Sequence, residues 1–167
     1  MPANLDYNDW THVGNHSFQR APTVPDGSFG DAQISTANPI TAPKLQHQYD
    51  VIYSQLNGVA AASERKVVHV ARSAGSVAAF EAGPVTIAAG AATVTLDLRK
   101  NGTSILTGVI TLTSAHAAYN KVAGALNPAS VAYALGDVFE VVTVATAGGG
   151  TLPQGVFADA VFREGSG

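Results

Sequence analysis

Five histidines are the side chains best suited to metal or proton chemistry in this chain: His12, His16, His47, His69 and His116. His12 and His16 stand four apart, a spacing that on a helix would put two imidazoles on one metal ion. The intervening Val13-Gly14-Asn15 has no helical character, and no glutamate follows His12 as it does in zinc proteases, so the pair reads as incidental polar residues. His69 stands between Val68 and Val70 and is expected on a strand, its ring toward solvent or a neighbour. Asp26-Gly27-Ser28-Phe29-Gly30-Asp31 has the outline of a calcium loop but lacks the alternating oxygen ligands and the closing glutamate, and a turn at Asp26-Gly27 accounts for it. Gly148-Gly149-Gly150 is followed by no Lys-Ser/Thr pair and opens no helix, so it reads as a flexible connection rather than a phosphate loop. No metal or cofactor is expected.

Acid–base and nucleophilic chemistry fare no better. Glu81, Asp97, Asp137 and Glu140 are the carboxylates a glycosidase could draw on, yet no cluster of Trp or Tyr accompanies them to stack on sugar rings. They read as solvated surface groups. No Gly-x-Ser-x-Gly elbow is present, and the absence of cysteine removes thiolate catalysis, disulfides and cysteine-ligated zinc together. The expectation is a protein that is not an enzyme, made and used in a reducing compartment.

The elements that carry these residues follow from composition and period. The chain has 167 residues, 46% of them apolar but only 7% aromatic, with a net charge of −3 and no basic stripe. Nucleic acid is therefore not an expected partner. Neither is a membrane, since no stretch approaches the roughly 20 uninterrupted apolar residues of a spanning helix, and no secretory signal is visible at the start. Residues 1–43 hold five of the eight prolines and read as an extended arm. That arm carries Leu5, Tyr7, Trp10, Val13, Phe18, Phe29 and Ile34, more large apolar groups than unfolded segments retain. These seven are the candidate contact residues, buried either on the chain's own body or on a neighbour.

Residues 44–66 are expected to form one short α-helix and a linker. Leu45, Tyr49, Ile52 and Leu56 fall on one helical stripe, with Thr41 as a possible N-cap, Pro43 in the first turn and Gly58 after the last. From Val67 the period becomes two. Thr93–Arg99 alternates with Val94, Leu96 and Leu98 inward and Thr95, Asp97 and Arg99 toward water, and Asn101-Gly102 then signals a hairpin. Ser104–Thr113 reads as the return strand, with Gly108 a candidate bulge. Further strands are expected at Val67–Arg72, Ser76–Thr86, Tyr119–Ala123, Val138–Ala145 and Val156–Phe162. The sum is a mainly β chain: an antiparallel β-sandwich over 67–163, jelly-roll or Greek-key-like, with a short tail at 164–167.

One resemblance covers about half the chain. Asp97-Leu-Arg-Lys-Asn-Gly-Thr-Ser-Ile-Leu106, Ile110-Thr-Leu112, Tyr133-Ala-Leu-Gly-Asp-Val138 and Gly148-Gly-Gly-Thr-Leu-Pro-Gln-Gly-Val-Phe157 resemble a β-sandwich module of phage-associated proteins, among them the head decoration (cement) proteins of tailed phages. The resemblance implies a structural virion protein, assembled in the host cytoplasm, that binds the major capsid protein on the outside of the shell and bridges capsomers. It also implies a homotrimer with no catalytic residues. Similar sandwiches serve as carbohydrate- or receptor-binding modules of phage fibres, which is the alternative; Phe80, Tyr119, Tyr133, Phe139, Phe157 and Phe162 are the aromatics such a module could use.

Overall fold

The computed structural model describes residues 47–164, and these form ten β-strands in two antiparallel sheets packed face to face. The long strands are β1 (His47–Ser54), β2 (Glu64–Val70), β3 (Gly75–Gly83), β4 (Thr93–Lys100), β9 (Val138–Thr146) and β10 (Phe157–Glu164). Four short ones complete the ladders: β5 (Thr103–Ser104), β6 (Ile110–Leu112), β7 (Val122–Ala123) and β8 (Ala132–Tyr133). One sheet runs β1-β10-β3, with β7 and β8 pairing opposite ends of β3. The other runs β2-β9-β4, with β5 and β6 on the far side of β4. The strands β1 to β4 alternate between the sheets; β4 and β9 then pair within the second sheet, and β10 returns to the first.

Alternation builds the core. Val94, Leu96 and Leu98 are fully buried, as the sequence predicts, and face Phe139 and Val141 in their own layer and Phe80, Ala82, Ala158, Ala160 and Phe162 from the other. Small alanines opposite large rings let the two layers close on each other. The hairpin after β4 is also as expected: Asn101 and Gly102 have φ of 50° and 86°, the positive values a type I′ turn demands.

Several expectations are corrected. Residues 47–54 are not a helix but the edge strand β1, antiparallel to β10 along its whole length. Tyr49, Val51 and Tyr53 point inward at period two, while Ile52 and Leu56, two members of the supposed helical stripe, are 72% and 75% exposed. The Tyr-Asp-Val-Ile-Tyr run has the β-branched and aromatic content that favours strands, and pairing with β10 settles the matter. The sandwich therefore begins at His47 rather than at Val67, Gly58 (φ 78°) lies in the β1–β2 loop, and β2 starts at Glu64. Thr41, Pro43 and Leu45 lie outside the described residues. The return strand after the hairpin is split: the chain leaves the ladder after Ser104 and rejoins it at Ile110, with Ile105 and Leu106 both buried and Gly108 in the gap. Of Gly148–Gly150, Gly150 is packed rather than free. Thr151 and Ala89 exchange both backbone hydrogen bonds, and a Cβ on Gly150 would sit 2.1 Å from the Ala89 carbonyl oxygen.

Candidate partner-binding surface

A β-sandwich has four lateral edges, and each exposes backbone unless something blunts it. On one side of this molecule the edges are made by strands of two or three residues, too short to pair with another chain. On the other side lie β1 and β2, neither of which has a second partner strand among the described residues. The β2 edge is blunted in recognised ways: it carries Glu64, Arg65 and Lys66 in succession, and its register with β9 shifts between Val67 and His69. β1 has none of these devices. It is eight residues long, free of Pro and Lys, and in unbroken register with β10.

The backbone polarity of β1 follows from its neighbour. Gln55 N donates to Val156 O at 2.8 Å, one step beyond the Ser54–Phe157 pair. Hydrogen bonding alternates along an antiparallel ladder, so His47, Tyr49, Val51 and Tyr53 direct their peptide groups at β10. Gln48, Asp50, Ile52 and Ser54 direct theirs to the outer edge.

The seam between β1 and β2 is closed inside by polar clasps. Tyr53 Oη donates to Glu64 Oε1 at 2.7 Å and lies 2.8 Å from Thr143 Oγ1. Burial, reinforced by the Glu64 carboxylate, pushes the Tyr53 phenol up to about 12, and the same bond holds Glu64 below the usual carboxylate range. At the other end Tyr49 Oη contacts both Glu164 Oε1 (3.0 Å) and His69 Nε2 (2.9 Å), inside an aromatic cluster with Phe139, Tyr133 and Phe162. Burial raises the Tyr49 phenol and lowers the His69 imidazole. The ring of His69 thus faces the core edge, not solvent: the bulge after Val67 reverses its side of the strand. Exposed large apolar side chains flank the seam: Ile52 on the outer face of the first sheet, Leu56 and Val59 in the β1–β2 loop, and Val67 and Val70 on the outer face of the second, five of the ten among the described residues. An open depression of about 280 Å³, lined by Leu56, Val59, Ala60, Ala62, Glu64 and Lys66 among others, sits at the loop end of the seam.

The carboxylates considered for catalysis are engaged elsewhere. Asp97 and Glu140 are 4% and 6% exposed, a correction to their reading as solvated groups. Both lie on the outer face of the second sheet, two positions apart in register. Arg65 covers Glu140 with a two-pronged ion pair that holds its carboxyl below the usual range. Arg99 Nε and Ser104 Oγ bind Asp97 at 2.8 and 2.6 Å. Glu81 and Asp159 share Lys121 on the other sheet. Asp137 accepts from Asn101 Nδ2 (2.7 Å) and Ala134 N (2.8 Å), which lower its pKa. His116 Nδ1 accepts from Thr113 N within its own turn, and no cluster of three metal-ligating side chains occurs among the described residues. His12, His16, the Asp26–Asp31 segment and all seven arm contact residues (Leu5, Tyr7, Trp10, Val13, Phe18, Phe29, Ile34) lie outside the described residues. The β1–β2 seam was missed in the sequence, where its signal is the inward alternation of Tyr49, Val51 and Tyr53.

Comparison with known proteins adds little. No family model and no curated protein matches the chain. Among solved structures, a chain titled Desmodium yellow mottle tymovirus overlaps 93% of this chain and 94% of its own length, at a TM-score of 0.32 and 12% identity, a superposition too loose to fix topology or role.

Proposed function

We propose that this chain is a structural virion protein that binds the outside of an assembled phage capsid and stabilises it by bridging capsomers. Its partners in this reading are the major capsid protein and further copies of itself, as a homotrimer. It needs no cofactor and performs no catalysis. The observation that carries the reading is the β1–β2 side of the sandwich: a long, unblunted edge strand with Ile52 exposed on it and Leu56 and Val59 exposed in the loop that follows. In sequence, residues 1–43, with their seven large apolar side chains, come shortly before this same strand. A rigid body with an adhesive edge and a long arm suits multivalent attachment, and a clamp that binds only the assembled shell stabilises it by mass action.

The resemblance of the Asp97–Leu106 and Tyr133–Val138 segments to phage sandwich modules supports the same reading. In this chain those segments meet: Asn101 Oδ1 accepts from Val138 N at 2.9 Å, and Asn101 N donates to Val138 O at 2.8 Å. The fibre-module alternative finds less support. Of its six candidate aromatics, Phe80, Tyr133, Phe139 and Phe162 are buried and Phe157 is half-buried, leaving Tyr119 (71% exposed) as a lone platform.

Deleting residues 1–43 tests the proposal. The truncated chain retains every strand of the sandwich and is expected to fold but to lose binding to phage heads. Undiminished binding by the truncated chain would overturn the role given to the arm.

A further inference from the structure

We infer that β1 is a strand-pairing site and that its occupant is β1 of a second copy, antiparallel and two-fold related about Ile52. The surface itself is the first argument. β1 is the one long edge among the described residues without a Lys, a Pro or a register shift, and its outward peptide groups at Gln48, Asp50, Ile52 and Ser54 form a regular row of donors and acceptors. Such a row is a template for another strand.

Self-complementarity selects the occupant. Pairing centred on Ile52 sets Ile52 against Ile52, Asp50 against Ser54 and Gln48 against Leu56. The exposed isoleucine is then covered by its own copy, and no like charges face each other across the ladder. Centring the pair on Asp50 would instead oppose two carboxylates. The chain's own preceding residues are a poorer fit for a hairpin onto β1. The segment that would fold back contains Pro39 and Pro43, neither of which has a donor for the ladder. Isologous pairing closes at two copies. With β1 occupied in this way, a three-fold contact has to use another surface of the chain.

The test uses the full chain, which has no native cysteine, so one introduced thiol reports on one position. In an antiparallel hydrogen-bonded pair the facing Cα atoms stand about 5.5 Å apart, within disulfide reach. Ile52→Cys is expected to form a covalent dimer under mild oxidation, and Asp50→Cys alone is not. A mixture of Asp50→Cys and Ser54→Cys chains should yield the mixed dimer. Native-chain hydrogen exchange supplies the second measurement. The amides of Asp50, Ile52 and Ser54 should be protected at high concentration and lose at least tenfold in protection on dilution. Protection that does not change with dilution would mean that the chain's own residues cover β1, and fast exchange at every concentration would mean an open edge; either overturns the inference. Failure of Ile52→Cys to cross-link, or equal cross-linking by Asp50→Cys, also overturns it. Because no shell is present in these experiments, their outcome is independent of whether the protein binds phage heads.

Discussion

His69 shows how one misplaced residue alters what a side chain can do. Counted along the sequence it alternates outward, but the shift in register after Val67 turns its ring toward Phe162 and Tyr49. Burial then depresses its pKa, against the opposing pull of Glu164 and with a smaller contribution from Arg72. The folded chain therefore favours the neutral ring, and the unfolded chain takes up its proton first as pH falls. The stability this ring contributes is complete above about pH 6.5 and is lost as pH drops toward its lower folded value. Glu64, Asp137 and Glu140 are held low in the folded state, so their contributions are complete above about pH 4.5 and are lost below it. Urea midpoints measured from pH 8 to pH 3 should fall in two stages, and His69→Gln should remove the upper one. A single stage below pH 5 in the native chain would contradict this placement of His69.

At the level of elements, the strands with strict alternation were legible in the sequence and the irregular ones were not. β4 and its Asn101-Gly102 turn could be read directly, because one face is wholly buried and the turn needs positive φ. β1 could not, because Tyr49, Ile52 and Leu56 satisfy a helical period by coincidence while Tyr49, Val51 and Tyr53 satisfy a strand period; only the presence of β10 distinguishes them. Buried carboxylates were equally hidden. Asp97 and Glu140 alternate outward as the pattern demands, and it is Arg65, distant in sequence, that covers Glu140. The turn pairing, too, is visible only in three dimensions. Asn101 combines φ of 50° with three hydrogen bonds to the Asp137–Val138 segment, so it holds the hairpin tip against the neighbouring turn. Asn101→Ala is expected to cost about 2 kcal/mol, from the left-handed backbone and the lost side-chain bonds together. Asn101→Gly keeps the backbone conformation and should cost about half as much, as chemical denaturation would show; equal costs would mean that the left-handed backbone carries none of the penalty.

For the whole molecule, the proposed role makes the two-sheet body a carrier and the β1 side its adhesive margin. Ion pairs and turn contacts satisfy most polar groups within the chain, whereas Ile52, Leu56 and Val59 have no cover among the described residues. In the proposed role the chain acts through association and assembles as a trimer. Light scattering on a size-exclusion column should report three copies or a multiple of three at micromolar concentration; a clean monomer across that range would count against it. Attachment to a finished shell is the central property proposed, and sedimentation of the full chain with purified phage heads addresses it directly. The chain should pellet with mature heads to a saturating number of copies and stay in solution with unassembled capsid protein. A chain that remains in the supernatant at every ratio, or pellets without saturation, would contradict the account.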